Sequence, residues 1–509
     1  MTLTSQFFNS ADYLLSLPVI MVTMFGLGTL LIDLILPREW KVVNAWSAFA
    51  GLVFSAVAVY KIQLAYHNTA LRGMAPLHVG FMGSWAVDPF AIFFWYLFLA
   101  AAAITVLMSA RYLDVENEQH GEYYALILFS VAGMMCMAAG YDIIILFIGL
   151  ELMAISTYVL VGFLRNDRRS NEAALKYLLL GAFSSGIFAY GLSLFYGLTG
   201  STNLGQIAAR LQGQQFGPVH ALALITTAAG LFFKIAAVPF HQWAPDAYEG
   251  APTAITGFMS VAGKSAAWAL LLRIFLNGLN PLRPEYLPLV IFVAIATMTG
   301  GNLAALTQSN LKRLLAYSSI AHVGYMLLGL AAGDRASPSA TGVKGIIVYL
   351  LVYTFMNLGA FAVIISLRRR DIIGDELDDI SGLFFKAPTE AVLMLIFLLS
   401  LAGIPPLAGF YGKYFIFLGL MESGHYVLAS LAVIYVAVSL YYYLKIANAM
   451  FMREALDAEP VRPSPGVAVA LAVTALATVY IGIFPEWFIR VANWSLQLPQ
   501  TASVAQLVK

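Results

Sequence analysis

The stretch Asp142-Ile-Ile-Ile-Leu-Phe-Ile-Gly-Leu-Glu151-Leu-Met-Ala-Ile155 opens an apolar run that reaches residue 163 and holds one charge near its middle. A helix needs about 20 apolar residues to cross roughly 30 Å of hydrocarbon, because each adds about 1.5 Å. Glu151 stands about nine residues, or roughly 13 Å, into such a helix, close to the bilayer centre. A charge at that depth costs on the order of 2.5–3.5 kcal/mol, and such residues face a bundle interior or mark a pathway.

Runs of the same kind recur from 13–36 to 464–487. Hydrophobic residues make up 61% of the chain and charged residues 11%, so most surfaces must face lipid or other helices. The runs are continuously apolar rather than alternating, which excludes a barrel. The expected fold is an all-α polytopic membrane protein with about fourteen transmembrane helices. No basic residue precedes Arg38, so the opening segment lacks the positive region of a signal peptide and is read as a retained first helix. Cys136 is the only cysteine, which excludes an internal disulfide and a four-thiolate metal site. With a net charge of +1, no polybasic field points to nucleic acid.

Two segments place proline beside ionisable groups at membrane depth: Lys234-Ile-Ala-Ala-Val-Pro239-Phe-His241, and Gly403-Ile-Pro405-Pro406-Leu-Ala-Gly409-Phe-Tyr-Gly412-Lys413. Proline removes an amide donor and clashes with the preceding turn, so a helix breaks at each. Paired broken helices are the mark of an inverted-repeat transporter. The offset would be 405 − 239 = 166, which sets Tyr317 opposite Glu151. The expected division is N-terminal helices over 1–121, a first repeat over 122–276, a second over 287–451, and a C-terminal helix and tail over 464–509.

Basic residues concentrate in alternate connections: Arg38 with Lys41, Arg111, Arg165 with Arg168 and Arg169, Lys312 with Arg313, Arg368–Arg370 with Lys386, and Arg453 with Arg462. These connections should be cytoplasmic. Arg72, Arg210, Arg283 and Arg335 mark the sparser outer side, which both termini share if the helix count is even.

Lys234, Lys264 and Lys413 lie as deep as Glu151. Three central lysines and one glutamate cannot all be neutralised in pairs, so some must be neutral, hydrated or exchanging protons. Desolvation lowers the proton affinity of a lysine and an approaching carboxylate raises it, so a change in distance can load or release a proton. His241 follows Lys234 by seven residues and is either a relay member or a cap at the end of the broken helix. His322 is either a relay member or a satisfied interior histidine. Asp246 and Glu249 are expected in an exposed loop, and Glu172 with Lys176 as an i, i+4 pair.

Phe240-His-Gln-Trp-Ala-Pro-Asp-Ala-Tyr-Glu-Gly-Ala-Pro-Thr253, Asn310-Leu-Lys-Arg-Leu-Leu-Ala-Tyr-Ser-Ser-Ile-Ala-His-Val-Gly-Tyr325 and Leu401-Ala-Gly-Ile-Pro-Pro-Leu-Ala-Gly-Phe-Tyr-Gly-Lys413 resemble the signature segments of the antiporter-like subunits of proton-pumping NADH:quinone oxidoreductase, the bacterial-type complex I. Tyr248-Glu-Gly-Ala-Pro-Thr253 and a lysine at 413 are similar to the N branch of that family. The resemblance implies a glutamate–lysine pair, a central lysine and a lysine on the second broken helix, at Glu151, Lys234, Lys264 and Lys413. His241 and His322 match further family positions. Lys234 precedes its break whereas Lys413 follows its own, which departs from a strict repeat.

The implied function is proton translocation by a Glu/Lys/His relay, driven by redox chemistry in partner subunits of the inner (plasma) membrane of a bacterium. The chain carries no dinucleotide fingerprint or phosphate loop, so NADH, flavin, iron–sulfur clusters and quinone are expected in those partners, and no cofactor or metal in this chain. Its partners would be the other membrane subunits, sister antiporter-like subunits among them, the lipid bilayer and, through the complex, the peripheral redox arm. The alternatives are a subunit of a multisubunit sodium/proton antiporter and a non-conducting membrane scaffold.

Overall fold

The computed structural model describes residues 10–71, 79–333, 341–368, 374–455 and 463–496. Arg72, Arg335, Arg369, Arg370, Arg462 and both chain ends lie outside the described residues. Among those described, 13 helices are long and apolar enough to span a bilayer, and a further crossing is made by two short helices in tandem.

Helices α1 (Ser10–Ile35), α2 (Val43–Leu71) and α3 (Pro89–Glu116) come first, with a small hairpin of β1 (Val79–Gly80) and β2 (Trp85–Ala86) between α2 and α3. A five-crossing unit follows: α4 (Gly121–Ala139), α5 (Ile143–Val161), α6 (Arg168–Thr199), the broken pair α8 (Pro218–Ile235) and α9 (Trp243–Gly250), and α10 (Thr253–Gly278). The amphipathic α7 (Leu204–Leu211) bridges α6 to α8, its start capped by the Asn203 side chain. The same order returns in α11 (Arg283–Leu306), α12 (Leu311–Ala332), α13 (Thr341–Leu367), the broken pair α14 (Pro388–Ala402) and α15 (Ala408–Glu422), and α16 (Tyr426–Met452). Five crossings is an odd number, so the second unit enters the bilayer from the opposite side and is inverted. The spanning α17 (Pro465–Ile483) and a short amphipathic helix, α18 (Glu486–Ser495), complete the described chain.

The second proline-bearing segment lies between two helices, as its prolines require. The first of these, α14, stops at Gly403, whose φ of +89° favours glycine, and the first unit stops α8 at Ala236 with φ +60°. These two stops fix the register between the units at 403 − 236 = 167, one residue from the expected offset, and set Ser318 rather than Tyr317 opposite Glu151.

Burial ranks the helices. In α10 and α12 the most apolar windows are 94% buried, against 28% in α1 and α16. A helix apolar on every side belongs at the centre of a bundle. The two central helices carry Lys264 and His322.

Candidate functional site

All three central lysines and His322 are buried: Lys234 is 5% exposed, Lys264 3%, Lys413 4% and His322 1%. Their partners differ. Lys234 Nζ, in the last turn of α8, donates to the Tyr158 hydroxyl at 3.3 Å. Glu151, two turns before Tyr158 on the same face of α5, lies within electrostatic reach of Lys234; among the described residues it forms no ion pair and its buried Oε1 has no hydrogen-bond partner. The Tyr158 phenol thus stands on Lys234 Nζ, with Glu151 close enough to act on the lysine's charge. Sequence reasoning missed Tyr158; Glu151 and Tyr158 at i, i+7 were the available signal. Gly181 of α6 makes room for it, since a Cβ there would overlap the Tyr158 hydroxyl.

Aromatic rings lead from this group to Lys264. Tyr177 packs edge-on against Tyr158 at 4.6 Å and stacks on Trp243 at 4.5 Å. Trp243 meets Tyr248, over whose ring Lys264 Nζ lies at 5.6 Å. Lys264 follows a single π turn, Met259–Gly263, and its Nζ donates to Ser319 Oγ of α12 at 2.5 Å. Such turns are frequent at functional sites because they re-aim side chains without ending a helix.

One turn beyond Ser319, His322 is held through both ring nitrogens: Nδ1 to the Tyr349 hydroxyl at 2.5 Å and Nε2 to the Tyr443 hydroxyl at 3.0 Å. It lies within electrostatic reach of both Lys264 and Lys413. Lys413 Nζ, on α15, donates to the Leu401 and Ala402 carbonyls at 2.9 and 2.7 Å, which are orphan acceptors at the end of α14. Leu401 stands 401 − 234 = 167 residues after Lys234. The two lysines thus approach equivalent points of their broken helices from opposite sides of the break, which accounts for their unequal positions in sequence.

His241 falls elsewhere. A shared face with Lys234 requires a regular helix, but α8 ends at Ile235 and the chain turns at Ala236. His241 sits half-buried in the turn, and no hydrogen bond among the described residues joins it to Lys234. Asp246 and Glu249 are on the helix α9, not in a loop, because the chain resumes helical geometry at Trp243. Arg313 reaches Asp246 at 2.7 Å and Glu249 at 2.9 Å, and Lys176 joins Asp246 at 3.0 Å and Glu172 at 2.8 Å. This network ties both halves of the bundle together at one surface. Lys312 is buried in the first turn of α12 rather than in a loop, with Nζ on the Ala251 carbonyl at 3.0 Å. Arg368 pairs with Glu116 at 2.6 Å.

One further buried cation, Arg273, was absent from the sequence reading. Arg273 of α10 binds Asp88 in bidentate fashion at 2.7 and 2.6 Å, donates to the Ala138 carbonyl at 2.9 Å and lies over the Phe90 ring at 4.6 Å. Asp88 also caps the start of α3 through the Ala91 amide. The cap motif Asp88-Pro89 and an arginine inside an apolar run were the signals available.

Residues 140–439 match the family described as NADH:quinone oxidoreductase/Mrp antiporter, TM. The chain is 64% identical to NADH-quinone oxidoreductase subunit N 1 of Koribacter versatilis, over the whole of both chains. A chain of respiratory complex I from Thermus thermophilus is 33% identical, with a TM-score of 0.76 over 93% of this chain and 98% of that one. A chain of the Mrp complex from a Dietzia species, 21% identical, shares the fold at a TM-score of 0.80 over 97% of this chain and 100% of that one.

Proposed function

The chain belongs to the NADH:quinone oxidoreductase/Mrp antiporter membrane family, on its subunit N branch, and on that premise we propose that it translocates protons through Glu151, Lys234, Lys264, His322 and Lys413. The observation that carries this reading is the state of the central lysines. Lys264 and Lys413 are buried, and among the described residues neither has a carboxylate partner. An ammonium fixed for structural reasons would be paired, whereas these meet only hydroxyl, carbonyl and ring. Glu151 then acts as the charge that loads and releases Lys234, and His241 serves the turn between α8 and α9.

Redox chemistry in partner subunits supplies the energy, and NADH, flavin, iron–sulfur clusters and quinone belong to them. We read 122–276 and 287–451 as the two antiporter-like repeats, and place the protein in the inner membrane of a bacterium with both termini outside. Labelling of a cysteine introduced near residue 505 only from the cytoplasmic face would refute that orientation.

Co-isolation with flavin- and iron–sulfur-containing subunits is the expected result of purification, and isolation with cation/proton antiporter subunits alone would favour the antiporter reading. Lys234→Ala separates conduction from scaffolding: assembly should persist while NADH-driven proton pumping falls, and unchanged pumping would leave only the scaffold.

A further inference from the structure

The two nitrogens of His322 have partners of an unusual kind. A buried histidine is commonly fixed in one tautomer by a backbone carbonyl or a carboxylate, each of which only accepts. Here both partners are phenols, Tyr349 at Nδ1 and Tyr443 at Nε2, and a phenol can donate or accept. Either tautomer is therefore fully hydrogen-bonded. In one, Tyr443 donates to Nε2 and Nδ1–H donates to Tyr349; in the other, both directions reverse. The Tyr443 hydroxyl also bonds Ser318 Oγ, one residue from the serine that receives Lys264 Nζ. All these groups are buried, so bulk water does not compete for them.

We propose that Tyr443 and Tyr349 are proton-carrying residues that link Lys264 to Lys413 through an imidazole free to change tautomer. The inference rests on the proposed relay and extends it. In the forward direction a proton released on the Lys264 side reaches the Tyr443 oxygen while that hydroxyl's own proton forms a bond to Nε2. The Nδ1–H bond breaks, its proton passes to the Tyr349 oxygen, and the Tyr349 hydroxyl proton moves on towards Lys413. No charge remains on either phenol or on the ring. The ring is left in the other tautomer; rotation of the imidazole about its side-chain bonds, with the two hydroxyls turning, returns it to the first, so that the next proton passes in the same direction.

The test uses the assembled complex in inverted membrane vesicles, with NADH-driven proton pumping measured in H2O and D2O. Tyr443→Phe and Tyr349→Phe keep the ring and remove the hydroxyl. Each is expected to lower pumping about 100-fold, the lower end of the range for a lost proton-transfer group, with a larger solvent isotope ratio than the wild type. Tyr124→Phe is the control: its hydroxyl donates to Gln119 Oε1 at 3.1 Å, and pumping and isotope ratio should stay at wild-type values. Lys264→Ala is the benchmark for the relay. If Lys264→Ala abolishes pumping while Tyr443→Phe pumps normally, the tyrosine link is wrong and the lysine relay stands. If Lys264→Ala pumps normally, the relay falls and the link falls with it. A loss in Tyr443→Phe with an unchanged isotope ratio assigns Tyr443 to packing and overturns the proposal. Should Tyr443→Phe fail to assemble, Tyr349→Phe carries the same expectations at the other nitrogen.

Discussion

Helix α10 carries two buried cations nine residues apart, Lys264 and Arg273, and they are treated in opposite ways. Arg273 has a bidentate carboxylate, a backbone carbonyl and a ring face. Lys264 has one serine hydroxyl and a ring face. Both adjoin a π turn, Met259–Gly263 before Lys264 and Ile274–Gly278 after Arg273, so helix irregularity alone does not separate them. The chemistry of the side chain does. Guanidinium stays charged, so its burial is stable only with a full set of acceptors, whereas an amine can shed its proton and needs no counter-charge when neutral. Arg273 is enclosed as a fixed charge; Lys264 is left under-partnered, as the proposed exchange of protons requires.

The largest effect should come from opening the enclosed pair. Asp88→Ala leaves a buried guanidinium uncompensated and removes a helix cap, a loss of about 3–5 kcal/mol, so the subunit should disappear from membranes on immunoblots. Removing both charges while keeping a capping oxygen, Asp88→Asn with Arg273→Met, should restore most of its level. A double variant as deficient as Asp88→Ala would show that the pair does more than hold α3 to α10.

Lys264 should behave in the opposite sense. Lys264→Ala and Lys264→Arg should both assemble, and both should lose proton pumping by about ten-fold or more, because arginine keeps the charge but does not release a proton. Full transport by the arginine variant would make Lys264 a fixed charge like Arg273 and erase the contrast.

A smaller effect is expected at Glu151, which modulates Lys234 from a distance. Glu151→Gln should assemble with pumping about five-fold lower, equivalent to roughly 1 kcal/mol of lost coupling. Tyr158→Phe removes a long hydrogen bond to Lys234 and should cost about 0.5–1 kcal/mol, or two- to five-fold in pumping. If the phenylalanine variant pumps better than the wild type, the phenol shields the pair instead of linking it.

The smallest effect belongs to the partly exposed network around Arg313. Its pairs are screened by solvent, each worth about 0.2–1 kcal/mol, so Arg313→Ala should lower the melting temperature of the complex by a few degrees at most and leave pumping intact.

The legibility of these groups in the sequence follows their chemistry. Glu151, Lys234, Lys264 and Lys413 stood out because an isolated charge in a long apolar run has no loop to occupy, and all four lie in helices buried against their neighbours or half-buried beside them. Tyr158, Tyr349 and Tyr443 did not stand out. Tyrosine is ordinary in apolar helices, and its hydroxyl becomes significant only when a ring nitrogen or an ammonium from another helix meets it. His241 could be read from sequence either as a relay member or as a cap, and the turn that begins at Ala236 sets it apart from Lys234.

By itself the sequence determined the solvent, the number of crossings, the two breaks and the residues whose burial demands an explanation, since apolar length, proline chemistry and the cost of a buried charge act locally along the chain. Which buried charges are closed and which are open was decided only by tertiary structure. Lys264 and Arg273 belong to one helix of similar surroundings in sequence, and their difference lies in what α3 and α12 bring against them, an aspartate in one case and a serine in the other. Partnership across helices is a property of packing, and no periodicity within a single run encodes it.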